Sequence, residues 1–154
     1  MSATKFKLNV STIINKNGLI LIQKRAMDEE VFPGLFGIPG GTVEATDKNL
    51  MAALQREVME EVGVTISDIK LFQNNIVTKP DKSTLYMVFA SDYESGTIKA
   101  MDGTESVQWS NLEEIKTLEF TPTTKELLID YYGKNRKDSL TKFITKPNTS
   151  YLKL

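Results

Sequence analysis

Apolar and polar residues alternate along the first part of the chain, in the pattern of paired β-strands. Every second position from residue 6 to residue 14 is apolar or threonine, and this period of two predicts a strand with one buried face. Asn17-Gly18 follows, a dipeptide that tolerates the positive φ angles of a tight hairpin turn. Residues 19–25 are therefore predicted to form the partner strand.

A long loop separates this hairpin from the next regular element. Residues 26–47 are rich in glycine and proline, which predicts a loop with one short strand near residues 36–38. Loops of this length inside a compact domain are usually functional or disordered.

The pattern changes to a helical period between residues 48 and 62. Four apolar residues recur there at spacings of three and four: Met51, Leu54, Val58 and Val62. This spacing predicts an amphipathic helix with one apolar stripe. Asp47 is the predicted N-cap, and Gly63 stands where a left-handed glycine would end the helix.

The second half of the chain predicts further strands and two helices. The predicted strands are residues 69–78, 85–90, 97–100 and 106–109. Ser110 and Glu113 have the spacing of a capping box, which predicts the start of a short helix. Thr121-Pro122 is predicted to supply the N-cap and first position of a final helix, which runs to about Tyr132 and is closed by Gly133.

This order of elements predicts one α/β domain over residues 1–133, with helices packed on a mixed sheet. Residues 134–154 are predicted to form a basic tail, either solvated or loosely docked. The basic residues of this tail are Lys134, Arg136, Lys137, Lys142, Lys146 and Lys153.

Two residue types are missing from the 154 residues of the chain, which contain no cysteine and no histidine. Their absence excludes disulfides, thiolate nucleophiles, Ser-His-Asp catalysis and zinc sites built from cysteine or histidine. Proton transfer and metal binding must then depend mainly on carboxylates, which favour a hard cation such as Mg²⁺ or Mn²⁺.

The charge balance limits the expected partners. The formal net charge is −1, so there is no overall basic character that would indicate nucleic acid or an anionic membrane. No apolar stretch has the length of a membrane span, and no secretory signal is visible. The expectation is a cytoplasmic protein that does not bind nucleic acid, and a homodimer is compatible with the sequence.

Three glutamates on the predicted helix are the first candidates for chemistry. At about 100° per residue, Glu57, Glu60 and Glu61 fall within an arc of about 100° beside the apolar stripe. Such a trio is most often a solvated helix face. Here it follows the turn Pro39-Gly40-Gly41, where the backbone is open to a ligand, and Arg56 is positioned to orient a carboxylate. The combination favours a divalent metal site.

These segments resemble the signature of the Nudix hydrolases. Residues 41–47 and 56–64 read GTVEATD and REVMEEVGV, and the second half carries the family's Arg-Glu-apolar-x-Glu-Glu-x-Gly-apolar pattern in full. Upstream, residues 19–25 and 34–41, LILIQKR and GLFGIPGG, are also similar to the family. The resemblance implies an α/β/α sandwich around a mixed sheet.

The resemblance also implies a reaction and a set of site residues. It implies hydrolysis of a nucleoside diphosphate linked to another group, by substitution at phosphorus with Mg²⁺, or with Mn²⁺ in its place. The implied metal ligands are Glu57, Glu60, Glu61 and the Gly40 carbonyl. The implied catalytic residues are Glu57 or Glu61 as the base, Arg56, and Glu105 as a more distant base or ligand.

Three further residues are candidates for contact with the substrate. Arg25 ends the second predicted strand, where a guanidinium would meet a phosphate; a surface salt bridge is the alternative. Phe36 would stack on a base, although a place in the core is the commoner role of such an aromatic residue. Gly41 belongs to the glycine turn beside the helix.

The first half of the signature departs from the family. Asp47 stands where the family has glutamate, and eight residues, rather than the family's seven, separate it from Arg56. Aligning Lys48 instead keeps the spacing but loses the acid. Since the family's first glutamate pairs with the signature arginine, Asp47 and Glu44 are both candidate partners of Arg56.

Several functions remain open at this point. The first is a MutT-type pyrophosphohydrolase of nucleoside or deoxynucleoside triphosphates. The second is hydrolysis of ADP-ribose, nucleotide sugars or dinucleoside polyphosphates by the same chemistry. The third is a binding or regulatory module of the same fold that has lost turnover, although its expected mark, loss of one of the three glutamates, is not found.

Overall fold

The computed structural model describes the backbone of residues 5–145 and the side chains of residues 5–135. Its strands are β1 Lys5–Lys16, β2 Leu19–Arg25, β3 Phe36–Gly37, β4 Gly40–Thr42, β5 Thr65–Lys79, β6 Lys82–Ser95 and β7 Thr104–Ser110. Its helices are α1 Leu50–Val62, α2 Leu112–Thr117 and α3 Thr124–Thr145.

The strands form a single mixed sheet, as predicted. The main order is β3-β2-β1-β6-β5, with β4 paired to β1 and β7 paired to β2. Strand β1 runs parallel to β6, and the other pairs are antiparallel. The predicted strands at residues 19–25 and 106–109 are confirmed, and the hairpin β5–β6 is longer at both ends than its pattern indicated.

Helices cover both faces of the sheet, which confirms the α/β/α arrangement. Val10 and Ile14 of β1 pack in one buried cluster with Leu54 and Val58 of α1. Ile13, on the opposite face of the same strand, belongs to a second cluster, which includes residues of α2 and α3. The alternation of side chains along a strand thus distributes the core between two layers.

The ends of α1 follow the sequence prediction at one terminus only. Gly63 ends the helix with a φ of 73°, and its N–H donates to the carbonyls of Val58 and Met59. The predicted N-cap is wrong: Asn49 caps the helix, and its side chain accepts from the N–H of Ala52.

Other predicted ends also need correction. Residues 97–100 are not a strand; Lys99 and Met101 instead donate backbone N–H groups to the carbonyls of Val62 and Glu61 at the end of α1. The capping box of α2 is formed by Asn111 and Glu114. It lies one residue beyond the predicted pair.

The last helix differs at both ends from its prediction. It begins at Thr124, two residues after the predicted proline start, and it continues through Gly133 to Thr145. The first part of the predicted tail is therefore helical, and Lys146 and Lys153 lie outside the described residues. No described helix has the length and apolar character needed to cross a membrane.

Candidate active site

The centre of the candidate site is the contact between α1 and the short strand β4. The carboxylate of Glu57 lies directly over Gly41, and a Cβ at that glycine would be 2.5 Å from both carboxylate oxygens. The sequence places glycine here because only a residue without a side chain lets the carboxylate approach the strand. Burial raises the pKa of Glu57, against the lowering effect of Arg56.

Glu61, one helical turn further along, is held by neutral donors. Its Oε2 accepts from Nε2 of Gln23 at 2.9 Å and from the backbone N–H of Gly40 at 3.1 Å. Burial raises the pKa of Glu61 to about 7, although these two hydrogen bonds act in the opposite direction. The helix therefore holds a carboxylate against the glycine turn in a largely dehydrated position.

Arg56 connects the loop before α1 to the helix itself. Its Nε and one terminal nitrogen donate to the two oxygens of Asp47, both at 2.9 Å. The same nitrogen donates to the carbonyl of Thr42 at 3.2 Å. Asp47 is thus the main acidic partner of Arg56, whereas Glu44 lies at 3.7 Å and is largely exposed.

The other terminal nitrogen of Arg56 donates hydrogen bonds to two of the three candidate metal ligands. It donates to Glu57 at 2.9 Å and to Glu60 at 3.3 Å. The hydrogen bonds that Arg56 donates to Asp47 contribute most to raising the pKa of the guanidinium. Arg56 therefore stays charged and fixes Glu57 and Glu60 relative to the loop.

Asp47→Asn is expected to destabilise the fold and to reduce activity moderately. The hydrogen bonds from Arg56 are the main cause that lowers the pKa of Asp47 from 3.8 to about 2. The ionised form therefore stabilises the fold above pH 4, and this contribution is lost as the pH falls toward 2. Thermal melts of the wild-type protein and of Asp47→Asn between pH 7 and pH 2 measure this contribution to stability.

The difference in Tm between the wild-type protein and Asp47→Asn should shrink across that pH interval. Glu44→Gln is the matched control, because Glu44 lies farther from the same guanidinium and its side chain is 59% exposed. A Tm difference that stays constant down to pH 2 would show that Asp47 acts through something other than its charge.

The donor set around the glycine turn fits a divalent cation. Within residues 5–135, no three acidic side chains already stand in a metal-binding cluster, because Arg56 lies between Glu57 and Glu60 while Glu61 faces the strand. The available donors are carboxylate oxygens, the ligands that Mg²⁺ prefers.

The remaining predicted residues are placed differently. Arg25 donates to the carbonyl of Val31 at 2.7 Å and to Glu29 at 3.1 Å, and its charge still reaches far enough to lower the pKa of Glu61. Glu105 pairs with Lys24 at 3.3 Å and is 45% exposed.

Phe36 is not brought to this site. Its ring packs against Phe120 with a centroid distance of 5.9 Å, in the cluster that faces α2 and α3. The commoner role of such an aromatic residue, a place in the core, is the one that it has.

Sequence reasoning missed Gln23. It is 6% exposed, it binds Glu61 through Nε2, and its Oε1 is the buried side-chain oxygen that has no partner among the described residues. The available signal was a single amide directly after the apolar run of residues 19–22. A polar residue that points to a buried face usually has a specific partner there.

The chain is similar to known proteins in sequence and in overall fold. A protein-family model, NUDIX domain, matches residues 5–131. The nucleoside triphosphatase NudI of Enterobacter sp. (strain 638) is 29% identical over 127 residues, which cover 75% of this chain and 89% of that protein.

Two solved structures share the fold. The MutT protein from Methanosarcina mazei Go1 superposes with a TM-score of 0.68 and 24% identity, covering 88% of this chain and 99% of that chain. The NUDIX domain of Shewanella oneidensis NrtR, complexed with ADP ribose, has a TM-score of 0.69 and 14% identity, covering 87% of this chain and 90% of that chain.

Proposed function

The chain belongs to the NUDIX domain family, and from that premise we propose that it converts nucleoside or deoxynucleoside triphosphates to the monophosphate and pyrophosphate. It is a hydrolase of nucleoside diphosphate-linked substrates, and the proposal concerns which of them it prefers. The observation that carries the proposal is the intact set of three glutamates on α1, of which Glu57 and Glu61 reach the glycine turn and Glu60 accepts from Arg56. The similarity to a nucleoside triphosphatase supports the choice of substrate.

We propose Mg²⁺, with Mn²⁺ as a substitute, as the cofactor. Glu57, Glu60, Glu61 and the carbonyl of Gly40 are the residues that would hold it. When bound, the cation supplies neutralisation of the diphosphate charge and a lower pKa for an attacking water. Arg56 and Asp47 then act as positioning residues, because they fix the carboxylates from the side of the loop.

The proton of the attacking water needs an acceptor among these carboxylates. Glu57 accepts from the Arg56 guanidinium, which makes its oxygens less basic. Among the described residues, the donors to Glu61 are the neutral amide of Gln23 and the N–H of Gly40. Glu61 is therefore our first choice as the base. Glu105 is our second candidate for the base. It pairs with Lys24 and its side chain is 45% exposed, so it is more hydrated than Glu61.

Arg25 is our candidate for phosphate contact. Its hydrogen bonds to Val31 and Glu29 orient the guanidinium at the end of β2, two residues after Gln23. Gln23 binds Glu61 directly, and the charge of Arg25 lowers the pKa of Glu61, so both side chains lie on the side of the sheet that faces Glu61. A phosphate there would compete with Glu29 for Arg25.

A substrate panel tests the proposal directly. The purified protein is incubated with Mg²⁺ and with nucleoside triphosphates, ADP-ribose, nucleotide sugars or dinucleoside polyphosphates, and the products are separated by ion-exchange chromatography. The expected result is monophosphate and pyrophosphate in equal amounts from triphosphates, with the highest kcat/KM in the panel.

Other outcomes would select the alternatives. A higher kcat/KM for ADP-ribose, which the NrtR domain binds in its crystal structure, would replace the triphosphate proposal with an ADP-ribose hydrolase. Nucleotide binding without turnover of any compound, by a folded protein in Mg²⁺ or Mn²⁺, would indicate the binding module instead.

A further inference from the structure

One end of the sheet carries a group of lysines that only the strand register brings together. Lys5 of β1 lies beside Lys82 of β6, and Lys82 lies beside Lys79 of β5. Lys7 is two residues further along β1, on the same face. Because neighbouring residues in register point to the same side of a sheet, the four ammonium groups share one surface.

Among the residues whose side chains the structure describes, this surface lies beyond the helical residues that pack on the same face of the sheet. Ile13 of β1 and Ala90 of β6, on the same side of the sheet, pack with residues of α3. Toward the other end of the strands, Tyr86 is 41% exposed, next to the lysines. We call Lys5, Lys7, Lys79, Lys82 and Tyr86 the lysine face.

The positive charges of the lysine face are not neutralised by the neighbouring side chains that the structure describes. The residues in register with its lysines include no aspartate or glutamate. Among the residues whose side chains the structure describes, none of the four lysines forms an ion pair. Asp81, in the turn between β5 and β6, is the acidic residue adjacent to it in sequence. The chain therefore carries a concentrated positive patch although its formal net charge is −1.

Tyr86 stands between two amides. Asn9 of β1 and Asn75 of β5 are its partners in register, and Oδ1 of Asn9 accepts from the hydroxyl of Thr42. An exposed aromatic ring on an open sheet, flanked by amides and bordered by cations, provides stacking, hydrogen bonding and phosphate attraction on one surface. Open sheets bind single-stranded nucleic acids with this combination of groups.

A purely protective role accounts for only part of the pattern. Lysines at open strand edges prevent pairing with other chains, which would explain Lys79 on the outer strand β5. Lys82 and Tyr86, however, lie on β6, which has β1 on one side and β5 on the other. An exposed cation and an exposed aromatic ring on an interior strand favour a ligand.

We propose that the lysine face binds single-stranded nucleic acid. The phosphates contact Lys5, Lys7, Lys79 and Lys82, and a base stacks on Tyr86. The proposal replaces the expectation from net charge that the protein has no nucleic-acid partner. It does not depend on the proposed triphosphatase, because the face is on the opposite side of the sheet from α1, and Lys5 is about 16 Å along β1 from Val10, the partner of Gly41.

Fluorescence anisotropy with a labelled 15-nucleotide oligothymidine tests the proposal, in buffer without divalent cations so that no hydrolysis occurs. The expected result is saturable binding by the wild-type protein, which weakens about tenfold or more between 50 and 200 mM NaCl. Lys5→Glu/Lys82→Glu should weaken binding at least about tenfold. Tyr86→Thr should weaken it about tenfold through loss of stacking.

Lys116→Glu/Lys125→Glu is the matched control, because it makes the same change in net charge on α2 and α3. It should bind within about twofold of the wild-type protein, and all variants should keep their far-UV circular dichroism and their activity on small nucleotides. Absence of oligothymidine binding would overturn the proposal. Equal losses in the control pair, or no loss in Tyr86→Thr, would also overturn it by showing nonspecific attraction of a polyanion.

Discussion

Glu61→Gln is expected to lower kcat on a nucleoside triphosphate by about 10²- to 10⁴-fold, without lowering the Tm. The side-chain carbonyl of glutamine can accept both hydrogen bonds, from Gln23 and from the N–H of Gly40, that Oε2 of Glu61 accepts. The substitution therefore preserves the local structure and removes only the negative charge. Because that charge is buried, its removal favours the folded state in the absence of metal.

Initial rates in saturating Mg²⁺ measure the effect of Glu61→Gln on kcat, and thermal melts in EDTA measure its effect on the Tm. Glu44→Gln serves as the control, since it is the same chemical change in a side chain that is 59% exposed and 3.7 Å from Arg56. It should keep its rate within about twofold and its Tm within a degree or two, as an exposed substitution does. A Glu61→Gln variant with nearly full activity would remove Glu61 from the reaction.

The sequence predicted which segments are helices and strands better than it predicted where they end. Asp47 and Asn49 are equally good N-caps by residue type, but the carboxylate of Asp47 is engaged by Arg56, so Asn49 caps α1. Ser110 fails as a cap for a similar reason. It is fully buried at the end of β7, and its hydroxyl accepts from Gln108.

Gly133 misled the prediction because its signal is purely local. A glycine after a helical segment commonly ends it, yet α3 continues past this residue. Among the side chains that the structure describes, none lies within 4 Å of a Cβ added at Gly133, so none of these contacts requires glycine there. The helix continues at a propensity cost of about 1 kcal/mol relative to alanine.

Some residues of the candidate site can be predicted from the local sequence pattern, whereas others depend on contacts between distant segments. The helical period alone placed Glu57, Glu60 and Glu61 on one side of α1. Gln23, in contrast, is 38 positions from Glu61, and the lysine face joins residues at the turn of the β5–β6 hairpin to the start of the first strand. Contacts of that kind depend on strand register, which a single sequence does not reveal.

Gly41→Ala is expected to lower kcat/KM by about 10²-fold while leaving the stability of the fold almost unchanged. The new Cβ would lie 2.5 Å from both carboxylate oxygens of Glu57, so this side chain must rotate away. The end of a flexible side chain can move at little cost in folding free energy. The same movement takes the carboxylate away from Arg56 and from the glycine turn, where a displacement of about 1 Å costs about 10²-fold in rate.

Alanine substitutions at two other glycines of the same segment show whether the loss of activity comes from the displacement of Glu57 or from general disruption of the fold. A Cβ at Gly37 would have Thr121 as its nearest neighbour at 3.8 Å, so Gly37→Ala should retain both stability and activity. A Cβ at Gly40 would overlap the backbone of Val10 and Ser11, which cannot move without the sheet, so Gly40→Ala should lower the Tm. Measured side by side, only Gly41→Ala should lose activity without losing stability, and a fully active Gly41→Ala would show that the position of Glu57 does not limit the reaction.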